Sequence, residues 1–165
     1  MKAVAVFGSY PNKTPIKGTV YFCEINGGKE IEITLNLSGL KSNALCGFHV
    51  HEAGDLTDSC ESACAHFNPF NATHGCPGNN RAHRHVGDLG NIKSDALGKV
   101  HYKMKDNMIK LRGQTTNIIG RTLIIHADPD DCGLGKNDAS LINGNSGKRI
   151  GCAIIGYSKE NFDKH

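Results

Sequence analysis

Tryptophan is missing from this chain, and aromatic residues of all kinds make up only 6% of it. No apolar stretch reaches the roughly 20 residues that a membrane-spanning helix needs. Neither sign of charge dominates: 19 Lys and Arg stand against 16 Asp and Glu, for a net charge of +3. The basic residues are scattered, which gives no footprint for a nucleic acid or a membrane surface. Repeats, linkers and low-complexity stretches are also lacking, and 165 residues suit a single domain with one core. A secretory leader is not evident. Met1 to Phe7 begins like one, but no long apolar core or small-residue cleavage site follows, and Val4 and Val6 alternate as in a strand. The expectation is a chain that is mature from its first residues and cytoplasmic.

What is abundant is glycine, with 20 residues, together with many turn dipeptides. Both favour a β-rich fold. Lys2 to Phe7 reads as a first strand. After a polar connection with Pro11 and Pro15, Gly18 to Ile25 reads as a second, rich in β-branched and aromatic residues. Asn26-Gly27-Gly28 is a hairpin signal. Ile31, Ile33, Leu35 and Leu37 then alternate with Glu30, Glu32, Thr34 and Asn36, a period of two that marks a strand with one buried face. Cys46 and Phe48 lie in a fourth strand. Asp88–Lys93, Gly98–Lys105, Thr122–His126 and Arg149–Tyr157 read as four more, with Val100, Tyr102 and Met104 alternating in the second of these. Two long stretches lack periodicity, Glu52–Arg84 and Asp128–Lys148. Eight short strands with long loops argue for an all-β sandwich or flattened Greek-key barrel. A loop as long as the first needs something to pin it inside a compact domain.

The chemistry gathers around Gly47-Phe48-His49-Val50-His51. Residues two apart on a strand point to the same side, so His49 and His51 project together, ~6.6 Å apart along the strand. Alone, His-x-His is more often a pair of structural histidines than a metal site. Here His66, His74, His85, Asp88 and His126 accompany it, in a region rich in Cys, Gly and Asn. Neutral imidazole suits both copper and zinc, and three imidazoles with a carboxylate suit four-coordinate zinc. Six histidines and an aspartate exceed the needs of one site and fit two adjacent metals that share a ligand.

At these residues the sequence closely resembles the copper/zinc superoxide dismutases of the eukaryotic, cytosolic type. The matching stretches are Gly47-Phe48-His49-Val50-His51-Glu52, His66-Phe67-Asn68-Pro69, His85-Val86-Gly87-Asp88-Leu89-Gly90, Ile118-Ile119-Gly120-Arg121-Thr122, His126-Ala127-Asp128-Pro129-Asp130-Asp131 and Gly147-Lys148-Arg149. They occur in the family's order and near its spacing, from about Lys2 to Tyr157. The resemblance implies an eight-stranded flattened Greek-key β-barrel, immunoglobulin-like, with two long functional loops. The domain is placed at residues 1–157, and 158–165 is expected to be a polar, solvated tail.

The resemblance also implies the site. Copper, one per subunit, would be held by His49, His51, His66 and His126. Zinc, also one per subunit, would be held by His66, His74, His85 and Asp88, with His66 shared as an imidazolate. The implied reaction is dismutation of the superoxide anion to oxygen and hydrogen peroxide by a Cu(II)/Cu(I) cycle, in which His66 exchanges its copper bond for a proton that it returns to the product. Arg149 would guide and dock the anion, as an always-charged planar donor suits a small oxyanion. Asp130 would accept hydrogen bonds from one histidine of each metal, with Asp128 and Asp131 as its local competitors. Cys60 and Cys152 match the family's intrasubunit disulfide, and Leu40 matches the leucine that plugs one barrel end. A homodimer is implied, with an interface near Phe7, Ala53, Gly54, Ile118, Ile119, Gly120 and Ile155, residues whose alternative use is to pack the core. Lys148 and Ile150 stand where proline accompanies dependence on a copper chaperone, so a chaperone is expected to be dispensable, at least in part.

Several positions depart from the family pattern. Leu141 and Ile142 take places that are usually polar or charged, and Asn143 stands where threonine is common, so long-range steering is expected to differ. His83 could compete with His85 for zinc but is read as a solvent-exposed residue. Seven cysteines leave at least one unpaired. Cys64 and Cys76 replace glycines and flank the segment from His66 to His74. They are read as two free thiols, with a disulfide between them or adventitious metal binding as alternatives. Cys23 and Cys46 are expected to be buried and reduced, and Cys132 to be an exposed thiol. Two other functions compete with the enzyme: a non-catalytic metal- or chaperone-binding decoy, and a copper-transfer domain. A decoy should have lost copper ligands or the arginine, and a transfer protein usually adds a Cys-x-x-Cys domain. Neither pattern is present.

Overall fold

The alternation in β3 (Glu30–Ser38) shows how the sequence builds this architecture. In the computed structural model, which describes residues 1–8 and 14–163, Ile31, Ile33, Leu35 and Leu37 are all buried while their polar neighbours face outward. β3 pairs antiparallel with β2 (Lys17–Ile25) over their full lengths, and β2 pairs with β1 (Lys2–Phe7). The other strands are β4 (Leu45–His51), β5 (Asp88–Lys93), β6 (Val100–Asp106), β7 (Thr122–His126) and β8 (Arg149–Tyr157). All eight form one sheet in the order β5-β4-β7-β8-β1-β2-β3-β6, which curls into a nearly closed barrel. Its two edges approach where the Lys93 amide of β5 donates to the Tyr102 hydroxyl of β6 at 3.1 Å. Pro11 and His165 lie outside the described residues.

The strand boundaries differ from the sequence expectation in small ways with local causes. β6 starts at Val100 rather than Gly98, because Gly98 sits at φ +71° in a turn where a Cβ would run into the Leu40 carbonyl. That close approach also seats Leu40, which is buried with the core. Tyr102 is exposed rather than packed inward, because β6 is an edge strand and its hydroxyl reaches across to β5. Beyond Tyr157, Ser158 is buried and residues 159–163 are exposed, and this segment folds back on β1. The Lys2 amide donates to Asn161 Oδ1 at 2.9 Å, and Phe162 packs edge-on against Tyr157. Phe7, Ile118 and Ile155, expected near a subunit interface, are buried with the core of this chain. The exposed apolar residues nearby are Val6, Ile154 and Tyr157, with Ile119 partly buried against the core.

β4 and β7 form the wall that carries the site. In β7 every residue is buried, but on two different sides. Leu123 and Ile125 join the barrel core, while Ile124 packs outside it with Cys60, Ala63 and Cys152. Phe48 and Val50 of β4 likewise point into the core, which by strand alternation turns His49 and His51 outward. The register sets His49 against Ile124 and His51 against Thr122, and it brings Arg149 of β8 opposite His126. The two long loops cover this outer wall. The first is tied to β8 by the Cys60–Cys152 disulfide. Backbone bonds also stitch it to the sheet: Phe67 N to Val50 O at 2.9 Å, Val50 N to Gly87 O at 2.8 Å and Gly87 N to Phe67 O at 2.9 Å. Arg121 lies over the Phe67 ring at 3.5 Å, a cation–π contact that fixes the loop's root. The second loop holds a feature absent from the sequence expectation, the short helix α1 (Asp138–Asn143). Asn137 caps its start by accepting from the Ser140 amide, and Gly144 ends it in the left-handed conformation.

Candidate metal centre

His49 and His51 leave β4, His126 ends β7, and the first loop returns His66 to meet them. Their donor atoms converge so that His49, His51, His66 and His126 form one buried group able to hold an ion. His66, His74, His85 and Asp88 form a second such group, and His66 belongs to both. The hydrogen bonds decide which nitrogen of each ring is left over. His49 Nε2 lies 2.6 Å from Asp130 Oδ2, which leaves Nδ1 buried and without a partner. His51 Nδ1 faces the Cys64 carbonyl at 2.8 Å, and His126 Nδ1 faces the Gly147 carbonyl at 3.1 Å. Their Nε2 atoms stand 3.4 Å apart. His74 Nε2 bonds Asp130 Oδ1 at 2.8 Å, and its Nδ1 lies 3.1 Å from Asp88 Oδ2. His66 Nδ1 faces Asp88 Oδ1 at 2.8 Å, and its Nε2 is again unpartnered. An orphaned buried polar atom carries a cost unless something else satisfies it. His49 Nδ1 and His66 Nε2, two such atoms on imidazoles aimed into one cluster, are what a pair of adjacent metals would satisfy. The donor set therefore fits copper and zinc.

The protonation of these groups suits the same purpose. Burial, with the charge of the neighbouring His66 acting in the same direction, holds His49 down at about 3 and His126 at about 4. Burial likewise holds His51 and His66 below the ordinary imidazole value. Neutral rings are the form that binds metal. His74 is the exception. Burial opposes its charge, but the hydrogen bonds and charges of Asp130 and Asp88 outweigh this and raise it to about 9. For Asp88 and Asp130 burial opposes ionisation, yet the hydrogen bonds from their histidines hold both carboxylates well below the usual range. Both carboxylates therefore stay charged.

A cavity of about 390 Å³ opens onto the first group, lined by His51, His66, His126, Ile142, Asn143 and Arg149 among others. The Arg149 guanidinium is pinned at its lip by carbonyls of the first loop. Nη1 donates to Cys60 O at 2.8 Å and Glu61 O at 3.1 Å, and Nη2 to Cys64 O at 2.5 Å. The Glu61 carboxylate lies 4.0 Å from Nε.

Comparison with known proteins agrees with this geometry. The profile of the family described as copper/zinc superoxide dismutase matches residues 16–155. The chain belongs to the copper/zinc superoxide dismutase family. It is 61% identical over 148 residues to the Cu-Zn superoxide dismutase of Paramecium bursaria Chlorella virus 1, covering 90% of this chain and 76% of that protein. It is 46% identical to the enzyme of Talaromyces marneffei, over 96% of this chain and 99% of the relative. The crystal structure of the clock protein EA4 superposes with a TM-score of 0.86 at 36% identity, over 95% of this chain and 94% of that one. Dismutation of superoxide to oxygen and hydrogen peroxide, with copper and zinc as cofactors, is the activity of this superoxide dismutase chain.

Of the three candidate aspartates in the second loop, Asp130 is the one placed between His49 and His74. Asp131 instead accepts from Ser140 Oγ, Asn145 Nδ2 and Gly133 N and so knots the loop. His83 is exposed. The cysteines require a correction. Cys76 pairs with Cys132, not with Cys64, and neither Cys76 nor Cys132 is a free thiol. Cys64 is free and exposed, Cys23 is half-buried, and Cys46 is buried. The reason is topological: Cys76 lies 56 residues before its partner, and only the stacking of the two long loops brings the pair together.

Three further residues shape the site without being read from the sequence. Asn91 clamps the backbone of Asp130, donating to its carbonyl at 2.9 Å and accepting from its amide at 2.7 Å. Arg84 is only 2% exposed, donates to the Asp88 carbonyl at 2.9 Å and pairs with Asp106. Gly144 sits where a Cβ would fall on Asp130 Oδ1 and within 2.5 Å of His74 Nε2. Asn143-Gly144 is a usable helix-end signal. Nothing local in the sequence marks Arg84 or Asn91.

Proposed function

We propose that His49, His51, His66 and His126 hold the copper, that His66, His74, His85 and Asp88 hold the zinc, and that Arg149 docks superoxide. The observation that carries this is the pair of four-donor groups sharing His66, with unpartnered nitrogens on His49 and His66. Copper, when bound, supplies the one-electron redox couple, and zinc, which has no redox chemistry, supplies fixed positive charge. Arg149 offers the anion a charge that its three carbonyl contacts hold at the lip. His66 carries the proton that the product needs, at Nε2, the atom left without a hydrogen bond beside the cavity. Asp130 fixes the rings of His49 and His74 and so their tautomers.

The test is superoxide dismutation with copper and zinc counted per chain, for wild type and His126→Ala. Near-stoichiometric metals and fast activity that the variant loses are expected. Full metal loading with no wild-type activity would overturn the assignment in favour of a metal-binding decoy. A homodimer through the exposed side chains of Val6, Ile154 and Tyr157 and the partly buried Ile119 belongs to the same reading. It is supported by their position on the adjoining β1 and β8 and on the turn whose Gly120 amide bonds the Ile155 carbonyl. Sedimentation as a monomer at micromolar concentration would refute it. Copper loading with little need of a chaperone also belongs to it, and inactive, copper-free protein from chaperone-deficient cells would refute that part.

A further inference from the structure

The Cys76–Cys132 bridge joins the two long loops where both touch the zinc group, with Cα atoms 4.9 Å apart. On one side, Cys76 follows His74 by two residues, and the intervening Gly75 amide donates to Asp88 Oδ2 at 3.1 Å. On the other, the Cys132 amide donates to Asp130 Oδ1 at 2.7 Å, the same oxygen that meets His74 Nε2 at 2.8 Å. The bridge therefore spans the two carboxylates that grip His74.

The turn it holds is not one its sequence favours. Cys132 has φ +62°, in the left-handed region that side chains other than glycine rarely adopt. Gly133 follows at φ +74° and runs so close to the first loop that a Cβ there would lie 2.6 Å from the His74 carbonyl. A turn pressed onto its neighbour in such a conformation persists only if other contacts over-determine it. The Cys60–Cys152 disulfide does not do this, because it ties the first loop to β8 and not to the second loop.

We propose that Cys76 and Cys132 are positioning residues for zinc. Their bridge keeps Asp130 on His74 and holds the zinc group assembled whether or not the ion is bound. This rests on the assignment of His66, His74, His85 and Asp88 to zinc. A metal enclosed by two loops leaves when those loops part locally. A covalent link between them removes most of the open states, so it slows zinc loss and prepares the site for loading. Copper is less affected, because three of its four ligands, His49, His51 and His126, come from β4 and β7.

The experiment compares the fully metallated wild type with the Cys76→Ser/Cys132→Ser double variant. Alkylation of denatured, unreduced wild type should label three cysteines, Cys23, Cys46 and Cys64. Labelling of Cys76 and Cys132 as well would overturn the proposal. Transfer of zinc to a chromogenic chelator should be about tenfold faster from the double variant, a typical effect of losing support around a metal ligand. Copper release should change less than about twofold, well below that effect. Zinc release within about twofold of wild type, or parallel acceleration of both metals, would overturn the proposal and leave the metal assignment standing. A wild type that binds no zinc would overturn both. If the double variant does not fold, a water-soluble phosphine opens the same bond in native wild type. The phosphine gives up two electrons and takes oxygen from water, the S–S bond breaks, and the two sulfurs take water's protons. Cys60 and Cys152 are buried, while Cys76 and Cys132 are partly exposed, so the bridge between the loops opens first. The same acceleration of zinc release is expected there.

Discussion

Replacing Gly144 with alanine isolates how one methyl group should disturb the centre. Gly144 ends α1 at φ +68°. An L side chain there costs about 1–2 kcal/mol in backbone strain. The new Cβ also falls on Asp130 Oδ1 and His74 Nε2, so the buried bond between them must give way. A charge-assisted hydrogen bond of this kind contributes about 1.5–3 kcal/mol. The expected loss of stability in the metal-stripped protein is therefore about 3–5 kcal/mol, and zinc affinity should fall about 10- to 100-fold. Urea unfolding and zinc competition against a chelator measure the two effects. Gly120→Ala is the control, since Gly120 has φ +81° with nothing within 4 Å of a new Cβ. It should show the backbone cost alone and normal zinc affinity. Gly144→Asn removes most of the backbone cost and keeps the collision, so it should still bind zinc weakly. Wild-type zinc affinity in both Gly144 variants would refute the reasoning.

Other outcomes follow from the same structure. Histidines depressed to about 3 and about 4 at His49 and His126 favour the folded state above the unfolded value of 6.5, and this contribution is lost as pH falls toward their folded values. His74, raised to about 9, works the other way, stabilising below 6.5 and losing its effect as pH rises through 9. With His51 and His66 also depressed and adding to the loss, metal-stripped protein should lose at least about 2–3 kcal/mol between pH 7 and pH 5, read as a shift in urea midpoint. An unchanged midpoint would contradict the burial of neutral rings. Cys152→Ser opens a loop spanning 92 residues and should cost about 4–5 kcal/mol by loop-closure entropy, measured by thermal unfolding under non-reducing conditions. Ile142 is 63% exposed at the cavity lip. Ile142→Lys should raise kcat/KM about twofold or more at low ionic strength, with the gain fading by about 0.5 M salt. A gain that salt does not erase would rule out steering as its cause.

How much could be read before the fold was known differs from residue to residue. β3 was legible because its period of two is a direct record of one buried face. β7 was legible only as a strand. Its apolar run gave no hint that Ile124 packs outside the barrel while Leu123 and Ile125 pack within, since a strand covered on both sides shows no alternation. Six histidines and an aspartate stood out as candidate donors because they exceed what one site needs, but their division between two metals came from the resemblance to the family. Helix α1 was missed because its six residues carry too little periodicity to stand out from a loop.

The amino-acid order by itself therefore determined the strands and put six histidines and an aspartate forward as candidate metal donors. Each of these depends on side-chain chemistry or on spacing along the chain. Only the tertiary structure decided which cysteines pair, that Arg84 is buried between Asp88 and Asp106, and that Gly144 must leave room for a hydrogen bond. Those outcomes depend on how two long loops stack on one wall of the barrel. Contacts between segments 50 or more residues apart leave no local pattern in a single sequence, because the groups that meet are chosen by packing and not by their neighbours.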